Sequence, residues 1–166
     1  CFWCTEAIFS RFKGVISTRP GYIGGKTENP TYKEVCTGTT DHAEAIELVY
    51  DTNVLSHEEV LHIFFATHDP TSLNRQGGDV GTQYRSAVFY TNENQLKATQ
   101  EVMSLLENEK VYDKAIVTEI LEAPVFYPAE VEHENFFELN PTQGYCAAVI
   151  DPKVAMTEKV FKEKLK

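Results

Sequence analysis

One helix of this chain has both of its ends determined by the sequence. Ser56 followed three residues later by Glu59 is a capping box, in which each side chain accepts the backbone N–H of the other residue. The apolar residues that follow recur with helical spacing. The helix must end before Asp69-Pro70, because a proline disfavours the helical conformation of the residue before it. The sequence therefore predicts a helix between residues 56 and 69, and then a glycine-containing loop from Pro70 to Gly81.

The rest of the chain alternates strand and helix patterns without an internal repeat or a linker. The mixture indicates an α+β fold in a single domain, residues 1–166, with an irregular C-terminal tail around Cys146. The predicted strands are Val15 to Gly25, Glu44 to Asp51, Tyr84 to Tyr90 and Ala115 to Leu121, and the other predicted helices are Phe2 to Phe12, Asn92 to Glu109, Ala129 to Leu139 and a solvated Lys153 to Lys166.

Charge and composition exclude several classes of function. With 25 acidic and 15 basic side chains the net charge is −10, so the positive surface that binds nucleic acid or anionic lipid is missing. The longest mostly apolar stretch, Val60 to Ala66, is much shorter than the roughly 20 residues of a membrane-spanning helix. The chain opens with neither Met nor a basic-then-apolar leader, so we expect no secretory signal. Four cysteines are too few for a disulfide-stapled secreted scaffold. We therefore expect a cytoplasmic monomer that binds neither nucleic acid nor membrane.

The segment Cys1-Phe2-Trp3-Cys4 is the first candidate site. A cysteine in the first turn of a helix meets unpaired N–H groups that stabilise its thiolate, which makes it a nucleophile. The same pattern also fits a buried structural cysteine, a C-x-x-C dithiol, or an N-terminal nucleophile whose own amine is the base. Zinc would need a second ligand pair at short spacing, and Cys36 and Cys146 each stand alone.

Three further segments contain groups that could act as acids or hydrogen-bond donors. Glu44 in His42-Ala43-Glu44 fits either a surface charge or a general acid whose pKa is raised in an apolar pocket. Tyr32 and Tyr84 lie in segments whose glycines or proline indicate loops, where a tyrosine packs more often than it donates. The residues alone leave these alternatives open.

Together these segments resemble the peptide methionine sulfoxide reductase A family over nearly the whole chain. The resemblance rests on the order of motifs, which are Cys1-Phe2-Trp3, Asn29-Pro30-Thr31-Tyr32, His42-Ala43-Glu44, His68-Asp69-Pro70-Thr71, Gly78 to Ser86, and Asn140-Pro141 through Tyr145-Cys146. Two features depart from the family. The glycine and strand that precede the family's cysteine are absent or lie outside the numbered chain, and Cys4 stands where many members have glycine.

The resemblance implies a two-layer mixed sheet with helices packed on it, a ferredoxin-like core, and reduction of the S epimer of methionine sulfoxide, free or protein-bound. The Cys1 thiolate would attack the sulfur, while a protonated Glu44 and the phenols of Tyr32 and Tyr84 would bind the leaving oxygen. The resemblance places the substrate's S-methyl group against Phe2 and Trp3, and it places Asp79 and His42 at the substrate. No metal or organic cofactor is implied.

Attack leaves Cys1 as a sulfenic acid, which a second thiol converts to a disulfide. We expect Cys146 to be that resolving thiol because its segment is irregular, with Cys4 as the second candidate and Cys36 as a packing residue. A thioredoxin-like dithiol would then restore Cys1. The rival functions are an N-terminal-nucleophile amidohydrolase, a C-x-x-C disulfide carrier and a sulfoxide-binding module without catalysis.

Overall fold

A computed structural model describes residues 1–166 and contains six α-helices and seven short strands. In chain order they are α1 (Phe2–Phe9), β1 (Val15–Ile23), α2 (Tyr32–Cys36), β2 (Ala43–Tyr50), α3 (His57–Thr67), β3 (Arg75–Gln76), β4 (Asp79–Val80), β5 (Ala87–Tyr90), α4 (Glu93–Asn108), β6 (Glu119–Glu122), β7 (Tyr127–Pro128), α5 (Phe136–Leu139) and α6 (Asp151–Val160). Short 3₁₀ turns cover Thr82–Tyr84, Val131–His133 and Lys162–Lys164, and a π-helical turn covers Cys146–Ile150. None of the helices has the length and apolar character needed to cross a membrane.

The central sheet is antiparallel, with strand order β2-β1-β7. In this register Tyr22 of β1 lies opposite Glu44 of β2. Strands β5 and β6 form a separate parallel pair, and β3 and β4 form a separate antiparallel pair. The α+β class is confirmed, but one continuous mixed sheet is not formed: the strands divide into three separate small sheets, and residues of both β2 and β5 line a cavity. The ferredoxin-like arrangement stays a prediction.

Helix α3 has the predicted ends. Ser56 Oγ accepts the N–H of Glu59, and the Glu59 carboxylate accepts the N–H of Ser56, each over 3.2 Å. The helix stops at Thr67, and His68 is extended just before Asp69-Pro70. Its apolar face packs into the main core, together with residues of α1, β1 and the segments that connect the elements. The buried members of this core are Ile8, Phe9, Phe12, Val15, Leu55, Val60 and Ile63.

Several predicted boundaries are wrong. Helix α1 ends at Phe9 rather than Phe12, and Tyr84 lies in a 3₁₀ turn instead of a strand. The predicted strand from Ala115 begins at Glu119. The predicted helix from Ala129 to Leu139 is broken because Asn135 adopts a left-handed conformation, with φ of 52°.

The C-terminal tail differs most from its prediction. Cys146 begins a π-helical turn that runs directly into α6, so its segment is helical instead of irregular. Helix α6 is also not simply solvated, because Val154 and Thr157 are buried. The reason is apolar packing against α1, in a cluster that contains Cys4, Ala7, Phe137, Cys146, Ile150 and Val154.

Candidate active site

Cys1 is the N-cap residue of α1, and its thiol therefore lies at the positive end of the helix dipole. The Cys1 side chain makes no capping hydrogen bond at this helix end. Instead, the N–H of Phe2 donates to Oε1 of Glu44 over 3.3 Å. A carboxyl group from the central sheet thus lies at the same helix end as the predicted nucleophile.

Glu44 is half-buried at the start of β2, where it is opposite the fully buried Tyr22. Burial raises the pKa of Glu44, and the nearby Asp79 carboxylate acts in the same direction, whereas the hydrogen bond from Phe2 lowers it. The net effect is a raised pKa, which favours the neutral acid. A neutral carboxyl group can donate a proton or a hydrogen bond.

Tyr32 and Tyr84 are held as neutral phenols near this carboxyl group. Burial raises the pKa of both hydroxyls, and the charge of Glu44 adds to the effect. Tyr32 is the first residue of α2, whose start is fixed by a capping box between Thr31 and Glu34. Both tyrosines therefore keep an O–H that can donate to a negatively charged oxygen.

A cavity of about 670 Å³ opens beside Cys1. It brings together Cys1, Glu44, Asp79 and Tyr84 of the predicted site, and also Cys4 and Tyr145. Its size is within the range of small-molecule sites, and its lining includes a thiol, an acid and a phenol.

Phe2 and Trp3 belong to an aromatic cluster instead of lining that cavity. The rings of Phe2 and Tyr32 are nearly parallel, with centroids 6.3 Å apart. Trp3 stacks on Phe136 at 3.8 Å and meets the edge of Tyr145 at 5.9 Å. Because Tyr145 also lines the cavity, the aromatic cluster borders it.

Cys4 and Cys146 pack in one buried cluster, and the half-buried Cys1 packs against it. All four cysteines are unpaired. Burial raises the pKa of Cys146, and Cys4 acts in the same direction, so the thiol form of Cys146 is favoured. The structure thus brings three thiols into one region between α1 and the start of the π-helical turn.

The prediction that Cys36 packs inside the protein is wrong. Cys36 is exposed at the end of α2. The reason is that this helix has only five residues and buries Val35 alone.

His42 is close to the site in sequence, but both of its ring nitrogens are used by the backbone. Nδ1 accepts the N–H of Gly25 over 2.9 Å, and Nε2 donates to the carbonyl oxygen of Thr27 over 2.7 Å. A Cβ on Gly25 would lie only 2.4 Å from the backbone nitrogen of His42, so only glycine allows this approach. The buried imidazole holds the segment that follows β1 in place, and neither of its ring nitrogens is free to bond to a substrate.

Three residues near the site had no role assigned from the sequence. Tyr145 donates its hydroxyl to Oδ2 of Asp79 over 2.6 Å. His133 accepts the indole N–H of Trp3, and Glu130 accepts from Tyr22 and Tyr32. Tyr145 could have been suspected from its place next to Cys146, but no local pattern marks Glu130 or His133.

Glu130, Glu132 and His133 also present ligand atoms within 4.8 Å of one another. The bond from Trp3 occupies Nδ1 of His133, so the neutral ring carries its proton on Nε2. A metal would have to displace that proton or the bond to Trp3, and the Glu130 carboxylate already accepts two hydrogen bonds. This chemistry disfavours a resident metal at the group.

Comparison with known proteins gives consistent matches over almost the whole chain. A family model described as "Peptide methionine sulfoxide reductase" matches residues 1–165. The chain is 51% identical over 166 residues to "Peptide methionine sulfoxide reductase MsrA" of Saccharolobus solfataricus, which covers 100% of this chain and 93% of that protein.

Two solved structures are similar as well. Methionine sulfoxide reductase A of Corynebacterium diphtheriae matches with a TM-score of 0.77 and 38% identity, covering 89% of this chain and 74% of that one. The reduced form of Mxr1 from Saccharomyces cerevisiae matches with a TM-score of 0.81 and 34% identity, covering 88% of this chain and 84% of that one.

Proposed function

The chain belongs to the peptide methionine sulfoxide reductase family, and we propose that it reduces the S epimer of methionine sulfoxide, free or in damaged proteins, with Cys1 as the nucleophile. The observation that carries the proposal is the contact between Glu44 and the N–H of Phe2, the residue next to Cys1. It supports a thiolate and a neutral acid acting on the same substrate group.

In the reaction, the Cys1 sulfur forms a bond to the substrate sulfur as the sulfur–oxygen bond breaks. The departing oxygen, now at the level of water, then adds to the Cys1 sulfur as the new sulfur–sulfur bond breaks and its electron pair returns to the substrate sulfur. The balance is one thiol and one sulfoxide to one sulfenic acid and one thioether, so Cys1 is oxidised and methionine is released. The oxygen leaves badly unless it is protonated or strongly hydrogen-bonded. Glu44 supplies the proton, and Tyr32 and Tyr84 donate to the developing negative charge. The raised pKa values of all three groups support these roles.

Selectivity for one epimer follows from a handed site. The donors Glu44 and Tyr84 line the cavity, whereas Phe2 and Trp3 belong to the aromatic cluster that borders it. The proposal places the S-methyl group at that border. A sulfoxide of the opposite configuration cannot place both its oxygen and its methyl group correctly. The hydrogen bond from Tyr145 holds the segment that carries Asp79 in place and so helps to orient the cavity lining.

Regeneration of Cys1 uses a second thiol of the same chain. Cys146 condenses with the sulfenic acid, with loss of water, and forms a disulfide that a thioredoxin-like dithiol reduces. Cys4 is the other candidate, and its packing against Cys146 supports a relay in which a Cys1–Cys4 bond passes to Cys146. Because Cys146 is buried at the start of a π-helical turn, its segment has to move for a thioredoxin-like partner to reach it. A cytoplasmic location fits the four unpaired thiols, and a monomeric state stays a prediction.

The decisive experiment is a burst assay without reductant, run separately on each epimer of a methionine sulfoxide peptide. The expected result is one methionine per enzyme from the S epimer, almost none from the R epimer, and none from Cys1→Ser. Release of ammonia, disulfide reduction without methionine, or binding without turnover would instead identify the amidohydrolase, the disulfide carrier or the binding module.

A further inference from the structure

Helix α2, which begins with Tyr32, has a single buried residue. The helix has only five residues, and Val35 alone is buried among them. The capping box between Thr31 and Glu34 acts within the first turn, so it does not determine where the helix lies against the sheet. One buried anchor permits a short helix to pivot about it. The position of the Tyr32 hydroxyl therefore depends on a second contact.

Glu130 supplies that second contact. The first N–H groups of a helix have no partner inside the helix. The N–H of Tyr32, at the first position of α2, donates to Oε2 of Glu130 over 3.2 Å. The other oxygen of this carboxylate accepts the hydroxyl of the fully buried Tyr22, also over 3.2 Å. One carboxylate thus bridges the start of α2 and strand β1 of the central sheet.

The central sheet holds Glu130 in a defined place relative to the acid of the site. Strand β7 ends two residues before Glu130 and pairs with β1, which ties the backbone of this segment to the sheet. On the other side of β1, Tyr22 lies opposite Glu44 of β2. Glu130 therefore relates the position of Tyr32 to that of Glu44, although the two residues lie on different elements.

We propose that Glu130 is a positioning residue, which holds the first turn of α2 so that the Tyr32 hydroxyl and the Glu44 carboxyl group reach the same substrate oxygen. The inference rests on the function proposed above. Glu130 does not line the cavity beside Cys1, and its effect passes through Tyr32. Because Tyr32 donates to the oxygen as it departs, a misplaced hydroxyl slows the chemical step more than it weakens substrate binding.

Substitutions separate the hydrogen bond of Glu130 from its charge. Glu130→Gln keeps an acceptor oxygen and loses the charge, whereas Glu130→Met has a similar length and keeps neither. In single-turnover assays Glu130→Met should lower the maximal rate about 10-fold and leave the substrate concentration at half-maximal rate within about twofold of wild type. Glu130→Gln should restore most of the rate. Glu130→Asp draws the carboxylate back by one methylene group, so it should lose rate as Glu130→Met does, and it replaces that variant if Glu130→Met does not fold.

The background variant Tyr32→Phe has no hydroxyl to misplace, so Glu130→Met should cause no further loss of rate there. Glu132→Met makes the same change at an exposed position of the same turn and is the matched control, which should behave as wild type. Equal losses in Glu130→Gln and Glu130→Met would show that the charge acts instead of the hydrogen bond. That result, or an undiminished loss in the Tyr32→Phe background, would overturn the proposal.

A second measurement is independent of activity. Because the Tyr32 N–H has no partner inside α2, its hydrogen exchange, followed by NMR, reports the contact with Glu130 directly. Exchange should be faster than wild type in Glu130→Met and close to wild type in Glu130→Gln and Glu132→Met. A wild-type protein that released no methionine would overturn the function and the positioning role together. An equally protected N–H and a wild-type rate in a folded Glu130→Met protein would overturn the positioning role alone.

Discussion

The hydroxyl of Tyr145 donates to Oδ2 of Asp79 over 2.6 Å, which joins the residue before Cys146 to the loop that borders the nucleophile. Both residues line the same cavity as Cys1 and Glu44. The segment that carries Cys146 and the part of the cavity that contains Glu44 are therefore linked by one hydrogen bond. Single substitutions can remove the negative charge of Asp79 or the hydroxyl donor of Tyr145 separately.

Asp79→Asn should shift the pH dependence of the first turnover. Burial is the main cause of the raised pKa of Glu44, and the Asp79 carboxylate raises it further. Removing that negative charge lowers the pKa of Glu44, so Glu44 loses its proton at a lower pH. The alkaline limb of the pH–rate profile therefore shifts to lower pH. The measurement is single-turnover methionine release across pH. Tyr145→Phe keeps the charge and should leave the limb in place, and an unmoved limb in Asp79→Asn would contradict this electrostatic coupling.

Glu44 variants should slow the chemical step in a fixed order. Glu44→Gln keeps a hydrogen-bond donor but has no acidic proton, and Glu44→Ala has neither. We expect Glu44→Ala to lower the single-turnover rate by about 10²- to 10³-fold, with Glu44→Gln between it and wild type. The assay is methionine release at saturating substrate and neutral pH. Wild-type rates in both variants would exclude Glu44 as the acid.

His68 should make the protein less stable in weak acid. Its ring lies between the carbonyl of Phe64 and the hydroxyl of Ser86, and burial lowers its pKa to about 4. The unfolded chain binds this proton near pH 6.5, so stability is complete above that pH and falls as the pH drops toward 4. The loss amounts to about 3 kcal/mol at most.

Urea unfolding at a series of pH values measures this loss. The informative quantity is the difference between wild type and His68→Gln, because both share the carboxylates that titrate in the same range. The difference should shrink as the pH falls from 6.5 to 4. A difference that stays constant with pH would mean that His68 titrates alike in the folded and unfolded chain.

The resolving thiol can be identified by its loss. If Cys146 resolves, Cys146→Ser releases the first methionine at the wild-type rate but is not recycled by thioredoxin, whereas dithiothreitol still supports turnover. Cys4→Ser is the comparison, because it should show this pattern only if Cys4 is the resolving thiol. Peptide mapping after one turnover gives the linkage directly. A dominant Cys1–Cys4 bond with Cys146 still free would reject Cys146 as the direct partner.

Local sequence patterns correctly predicted the parts of the structure that are determined by residues close together in the chain. The two ends of α3 are an example, because a capping box and a proline act within one turn of the chain. Residue type alone misplaced Cys36, since burial depends on what packs over α2 and not on the thiol. The tail was misjudged for the same reason, because contacts with α1 order it.

Glu130 and His133 could not have been found from local patterns. Trp3 and His133 are 130 positions apart, and Tyr32 and Glu130 are 98 positions apart. Such contacts arise only when β7 brings its following turn against β1 and α1. Motif resemblance supplied Cys1, Glu44, Tyr32 and Tyr84 as candidates. It also placed His42 at the substrate, whereas both ring nitrogens of His42 bond to the backbone.

The imidazole of His133, which accepts the indole N–H of Trp3, limits how this pocket can be redesigned or diversify in evolution. Because one ring touches Phe2, Trp3 and Tyr32, a substitution at any of the three changes the packing of the other two. Residues that share a partner in this way give non-additive effects when they are changed together. Enlarging the pocket for bulkier sulfoxides would therefore require concerted substitutions that include His133, and libraries that vary one position at a time would miss the productive combinations.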